Sequence, residues 1–213
     1  MASDVRCSVF GAHKYTGVIP PSGPLAANCV AKLVYSHYGL VVHQALQAVH
    51  QAPELYGWSH KPGIQACVYI MDFLRPPSFV QPGWYTLADL CIKAMVATKV
   101  DVIYPVLKNI VSHLSNLGLV HGDLRPNNLM IKMEDCAFIV EPVEIKVVDF
   151  EWAGNVNIAC YPHNRNEKIG YPGKPGGPIG RDDDLYMINK WRKDIEDYRA
   201  HVAHIRALSD AVQ

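Results

Sequence analysis

The octapeptide His121-Gly122-Asp123-Leu124-Arg125-Pro126-Asn127-Asn128 constrains this chain more than any other stretch. It sets an acid, a cation two residues on and an amide five residues on into one short turn, after the apolar run Leu119-Val120. Val147-Val148-Asp149-Phe150 follows as an apolar strand that ends in a second carboxylate. Between them, Leu129-Met130-Ile131-Lys132 and Glu144-Ile145-Lys146-Val147-Val148 read as the two arms of a hairpin. Polar clusters at the ends of apolar strands are how a rigid scaffold presents chemistry at its surface.

Moving a phosphoryl group from a nucleotide asks for this set. A carboxylate orients the attacking hydroxyl, a cation spreads the transferring charge, and an amide with a second carboxylate holds magnesium. The two motifs, in this order and joined by a hairpin, resemble the catalytic loop and metal-binding segment of the protein-kinase-like superfamily. The resemblance implies Asp123 as the base that orients the acceptor hydroxyl, Arg125 at the γ-phosphate, and Asn128 and Asp149 on Mg2+. A turn in which Asp123 and Asn128 merely cap backbone groups is the alternative. Gly122 and Glu151 stand where many protein kinases have arginine and glycine, and both are similar to choline and aminoglycoside kinases. With Trp152-Ala153-Gly154 they resemble more closely a group of fungal kinase-like proteins.

The same resemblance assigns parts upstream. Cys29-Val30-Ala31-Lys32-Leu33-Val34 reads as a buried strand whose Lys32 would reach the nucleotide phosphates. Ala66 to Leu74 is a second buried strand at the place of the hinge. There Met71 would back the adenine pocket, and backbone groups near Asp72 and Leu74 would bind the base. Two parts of the pattern are missing. Gly11, Gly17 and Gly23 are not in G-x-G-x-x-G spacing. The helix read over Tyr38–Gln51, with Val41, Ala45, Leu46 and Val49 on its apolar side, carries no acid to pair with Lys32. His43, Gln44 or Gln47 would supply a neutral substitute.

Downstream, periodicity predicts a helix from Trp84 to about Thr98 and a second from about Asp101 to Leu117, stopped by Gly118. The second stripe is Ile103, Leu107, Ile110, Leu114 and Leu117. Residues 161–181 are dense in Gly and Pro and read as a substrate-side loop. Residues 151–184 contain no serine or threonine, and Tyr161 and Tyr171 are their only hydroxyls. Loop phosphorylation on Ser or Thr is thereby excluded. A long amphipathic helix follows, with Leu185, Ile188, Trp191 or Arg192, Ile195, Tyr198, Val202 and Ile205 on one side. Asp184 at its start resembles the aspartate that braces the catalytic loop from below, with plain helix capping as the alternative.

The chain has 213 residues, 49% of them hydrophobic, enough for a substantial core. Its 20 basic and 20 acidic side chains cancel, which argues against nucleic acid or an acidic membrane as partner. No apolar run approaches the ~20 residues of a membrane span. Six scattered cysteines without C-x-x-C read as reduced and mostly buried thiols, and the expected location is cytoplasmic. The whole implies an α+β, two-lobed kinase-like fold as a single domain over 1–213. Residues 1–74 form a reduced N-lobe with hinge, and residues 75–213 a short helical C-lobe. The expected function is ATP- and magnesium-dependent phosphoryl transfer to a hydroxyl by a protein kinase-like enzyme, the acceptor being a protein or a small molecule. A small-molecule kinase and a pseudokinase acting as a binding module are the rivals.

Overall fold

The computed structural model describes residues 29–60, 66–76, 78, 81–134, 138–139 and 141–210. The glycine positions considered for a phosphate-covering loop lie outside these residues. The described chain is a mixed α/β structure of small antiparallel sheets and three α-helices.

Strand β1 (Cys29–Val34) alternates buried and half-buried residues, as aliphatic and β-branched side chains do on a pleated surface with one covered face. Helix α1 (Leu40–Gln47) follows, then β2 (Leu55–His60) and β3 (Cys67–Asp72). These strands make one antiparallel sheet in the order β1-β3-β2, with Lys32 opposite Tyr69 and Val30 opposite Met71. A second sheet is built on β6 (Leu129–Glu134). It is flanked by β4 (Gly83–Thr86), β7 (Phe138–Ile139) and β8 (Ile145–Val147), while β5 (Leu119–Val120) pairs with β9 (Gly154–Asn155). The expected hairpin is the β6–β8 pair, with Leu129 opposite Val147.

Helix α2 (Leu90–Asn116) runs unbroken where two helices were expected, and Trp84 to Thr86 belong to β4. Pro105 lies well inside it. Proline at that position removes one helical hydrogen bond, and because the prolyl side is exposed, water can serve the carbonyl left over. Ile103, Leu107, Ile110 and Leu114 are buried, but Leu117 is 54% exposed because the helix has ended and Gly118 turns the chain at φ 69°. Helix α3 (Asp183–Asp210) buries Ile188, Trp191 and Ile195 against the core and packs on α2, where the Tyr104 hydroxyl donates to Asn189 Oδ1 at 2.5 Å. Ile205, expected on the same stripe, is exposed, since the apolar contacts of α3 stop near Tyr198.

Helix α1 is shorter than its sequence pattern. Its buried residues are Val42, His43 and Leu46, while Val41 and Val49 are exposed. The helix begins at Leu40, and His50 takes a left-handed φ of 59° while the Gln51 N–H returns to Leu46 O at 2.8 Å. Both flanks of α1 are tied to the segment that bears Asp149. The Gly39 N–H donates to Phe150 O at 2.8 Å, and the Val147 N–H donates to Gln51 O at 2.8 Å. A Cβ at Gly39 would lie 2.5 Å from Ala153 Cβ, so only glycine allows this approach.

The main core joins α1, α2, α3 and β6 around Leu124, Phe150 and Ala153. A smaller cluster, Val120, Tyr161, Tyr171, Ile179 and Met187, lies under residues 159–180. Cys29, Cys67 and Cys160 are free thiols, and only Cys29 is buried. No helix among the described residues is long and apolar enough to cross a membrane.

Candidate active site

Asp184, in the first turn of α3, holds the entry to the octapeptide. Its carboxylate accepts the backbone N–H of His121 at 2.6 Å and of Gly122 at 2.9 Å. It is a brace, not a cap on its own helix. Burial pushes its carboxyl up to about 6, against the pull of those two N–H groups toward the ionised form. Gly122 turns at φ 80°, and a Cβ there would meet Ile179 Cδ1 at 2.5 Å. Glycine is needed at this position on backbone grounds alone.

His121 is buried and neutral. Its Nδ1 accepts the Asp123 N–H at 3.3 Å, so Nε2 carries the proton and donates to Val148 O at 3.2 Å. Burial lowers its pKa to about 4. Phe150 lies between two histidines, with its ring 4.5 Å from His43 in a near-parallel stack and 5.3 Å from His121 edge-on.

Asp123 is buried and fully engaged. The Asn128 amide donates to Asp123 Oδ2 at 2.8 Å and to its backbone carbonyl at 2.9 Å. The Tyr171 hydroxyl donates to Oδ1 at 2.5 Å, and Arg125 Nε lies 3.2 Å from the same oxygen. Burial raises the Asp123 carboxyl, and the Tyr171 hydrogen bond, the Arg125 charge and the Asn128 amide oppose that rise. Asn128 ends the short 3-10 turn Pro126–Asn128, and its carbonyl accepts the Val148 N–H at 3.0 Å. That bond ties the octapeptide to the residue before Asp149, just past the end of β8. Since Asn128 uses its NH2 on Asp123, its side-chain oxygen is the atom left for a cation.

Asp149 adopts a left-handed φ of 71°, uncommon for a residue other than glycine. Its Oδ1 accepts from Lys32 Nζ at 2.5 Å, and Glu151 Oε1 is 2.9 Å from the same ammonium. Burial works against the Lys32 charge, yet Asp149 and Glu151 outweigh it and the pKa sits above lysine's ordinary value. The expectation of a neutral partner from α1 is therefore corrected. His43 hydrogen-bonds Tyr38 Oη at 2.7 Å and Pro53 O at 2.8 Å, and Gln47 Oε1 accepts the Leu55 N–H at 3.1 Å. Gln44 is exposed. Lys32 is held by the strand end itself.

A cleft of about 630 Å3 opens between the first sheet and this block. Lys32, Met71, Asp72, Leu74 and Asp149 all line it, together with Met130. The Asp72 N–H donates to Glu54 O at 2.9 Å. The Asp72 carboxylate takes the Tyr56 hydroxyl. Asp123, Asn128 and Arg125 are not among the residues that line the cleft; Arg125 lines a second cavity of about 640 Å3 with Glu151, Trp152, Arg165 and Tyr171. Lys32 belongs to the first cavity and Glu151 to the second, so their ion pair stands at the boundary.

Sequence reasoning passed over three residues of this site. Glu151 was read as a substitution and is a ligand of Lys32. Tyr171 was noted only as a hydroxyl in the loop, and Arg165, whose guanidinium lies 5.0 Å from the Tyr171 ring centre, carried no signal at all.

No family model matches the chain, and no curated protein matches it. Among solved structures, the kinase PK-1 of Cydia pomonella granulovirus is similar, with 14% sequence identity and a TM-score of 0.49 over 78% of this chain. The match covers 58% of that protein.

Proposed function

We propose that this chain is a phosphotransferase of protein-kinase-like form that moves the γ-phosphoryl group of ATP to a hydroxyl. In this reading, β1–β3 and α1 make a reduced N-terminal lobe, the chain beyond about residue 75 makes the helical lobe, and the 630 Å3 cleft takes the nucleotide. One observation carries the proposal. Lys32 reaches from the first sheet to Asp149, while Asn128 links Asp123 to Val148, the residue before Asp149. A metal–triphosphate group needs those partners in one place.

The donor set fits magnesium. Asn128 offers an amide oxygen and Asp149 a carboxylate, hard oxygen ligands of the number that Mg2+ takes when phosphates and water complete its shell. Mg2+ would supply charge neutralisation across the phosphates. The chain's own residues do the rest. Lys32 pairs the phosphates, Asp123 orients the acceptor hydroxyl and takes its proton, and Arg125 stands beside Asp123 to offset developing charge. Met71, which lines the cleft, would pack against the base, and backbone groups near Leu74, also in the lining, would bind it.

The second cavity favours a small-molecule acceptor as the variant of this reading. About 640 Å3 beside Tyr171 and Arg125 is the size of a small-ligand site. Thermal-shift titration with ATP, with and without Mg2+, tests nucleotide use on wild type and Asp149→Asn. A magnesium-dependent rise in Tm that Asp149→Asn abolishes is the expected result. No rise in either protein would leave a kinase-shaped binding module instead. An acceptor screen with Asp123→Ala as control then divides protein from small-molecule substrates.

A further inference from the structure

The hydroxyl seat on Asp123 is filled by the chain itself. Asn128 holds Oδ2, and the oxygen it leaves, Oδ1, takes the Tyr171 phenol at 2.5 Å. The phenol ring is not a loose visitor. It lies 5.2 Å from Trp152 and 5.6 Å from Tyr161 between ring centres, with the Arg165 guanidinium 5.0 Å from its own centre. Arg165 also covers Tyr161 at 4.4 Å and donates to Gly173 O. Its buried Nε and Nη1 have no hydrogen-bond partner among the described residues, which leaves the ring faces as the guanidinium's company. The backbone is stitched down as well. The Tyr161 N–H donates to Gly177 O at 2.9 Å, the Gly176 N–H returns to Tyr161 O at 2.9 Å, and the Ile179 N–H donates to Ala159 O at 2.8 Å.

The 640 Å3 cavity abuts that ring. Tyr171 and Arg125 line it, whereas Asp123, 4% exposed, does not. We propose that Tyr171 closes the acceptor seat: an acceptor alcohol entering from this cavity reaches Asp123 only by displacing the Tyr171 hydroxyl from Oδ1. The inference rests on the phosphotransferase reading and adds to it the residue that decides which hydroxyls gain access. Water is the weakest competitor for the seat, since it brings no binding energy of its own to offset the lost phenol contact. An acceptor that fills the cavity does bring it. Tyr171 is thus a barrier against wasteful hydrolysis of ATP and a selector for acceptors that occupy the cavity.

Slow hydrolysis of MgATP, with water as the acceptor, tests this without knowing the natural substrate. Tyr171→Phe keeps the ring and its packing and removes only the hydroxyl. Hydrolysis is expected to rise about tenfold, the size set by one hydrogen bond to a charged group, with KM for ATP unchanged. Arg165→Gln, which uncovers the ring face, should move the rate the same way by less, and Tm of both variants reports their folding. Hydrolysis unchanged or slowed in both variants, with ATP binding intact, overturns the proposal and makes Tyr171 a support for Asp123. Phosphate found on Tyr171 of the wild type by mass spectrometry also overturns it, since the phenol would then be the acceptor. Loss of MgATP binding by the wild type itself would overturn the phosphotransferase reading, and this inference with it.

Discussion

Lys32 and Asp149 stand 117 residues apart in sequence, and their side chains meet at 2.5 Å. Among the described residues, the ion pairs of Lys32 with Asp149 and with Glu151 join the first sheet to the segment that follows β8. The Lys32–Asp149 pair is part-exposed, so its worth to stability is small, on the order of 1 kcal/mol or less. Lys32→Met should therefore lower Tm by a few degrees at most. Its effect on phosphoryl transfer should be far larger, a loss of about 10²–10³ in kcat. Glu151→Gln should cost less than Lys32→Met, because Asp149 still holds the ammonium. Equal losses in the two variants would contradict this ranking, and steady-state kinetics beside a melting curve reads both.

The pH dependence of stability should be flatter than its parts. Asp184 has a folded pKa of about 6 against an ordinary 3.8, so the folded state keeps its proton where the unfolded chain has lost it. Its contribution is full below pH 3.8 and falls as pH rises to about 6. His121 runs the other way. With a folded pKa of about 4 against 6.5, its contribution is full above 6.5 and is lost as pH falls toward 4. Each shift amounts to roughly 3 kcal/mol at ~1.4 kcal/mol per unit, and between about pH 4 and 6 the two slopes oppose. Denaturant titrations across that window should show little change for wild type. Asp184→Asn should unmask stability that rises with pH, and His121→Gln stability that falls. Parallel curves for all three proteins would refute the assignment.

Two glycines with left-handed backbone separate folding from site geometry. Gly118→Ala, at φ 69° with open space around its Cβ position, should cost about 1–2 kcal/mol and leave ATP affinity alone. Gly122→Ala, at φ 80° against Ile179, should cost more and also move Asp123, the next residue. The check is urea unfolding paired with nucleotide titration. A Gly122→Ala protein with wild-type activity would show that the turn does not set the position of Asp123.

Much of the site was legible because strands and acids announce themselves. The octapeptide and the β6–β8 hairpin follow from apolar runs that end in polar residues, a pattern local to a few positions, whereas the brace from Asp184 was implied by the resemblance, with helix capping as the alternative. Lys32, Met71, Asp72 and Leu74 were legible as strand and strand-end residues, and the fold brings them to one cleft with Asp149. What stayed hidden depends on side chains meeting across the chain. The partner of Lys32 was sought on α1, yet α1 is short and its inward histidine is spent on Tyr38 and Pro53. Tyr171 lies 48 residues from Asp123 in a loop without period, and no local pattern marks a tyrosine that will turn inward onto a carboxylate. The start of α2 was misread for a related reason. Trp84 to Thr86 have helical spacing to the residues after them, but pairing with β6 claims them first.

The bonds from Gly39 to Phe150 and from Val147 to Gln51 make α1 a bracket riveted at both ends to the segment that bears Asp149. A helix fixed in that way has no independent swing. Any widening of the gap between the first sheet and Asp149 would leave α1 with the carboxylate, and a switch that worked by rotating α1 alone would first have to tear the carboxylate's own backbone loose.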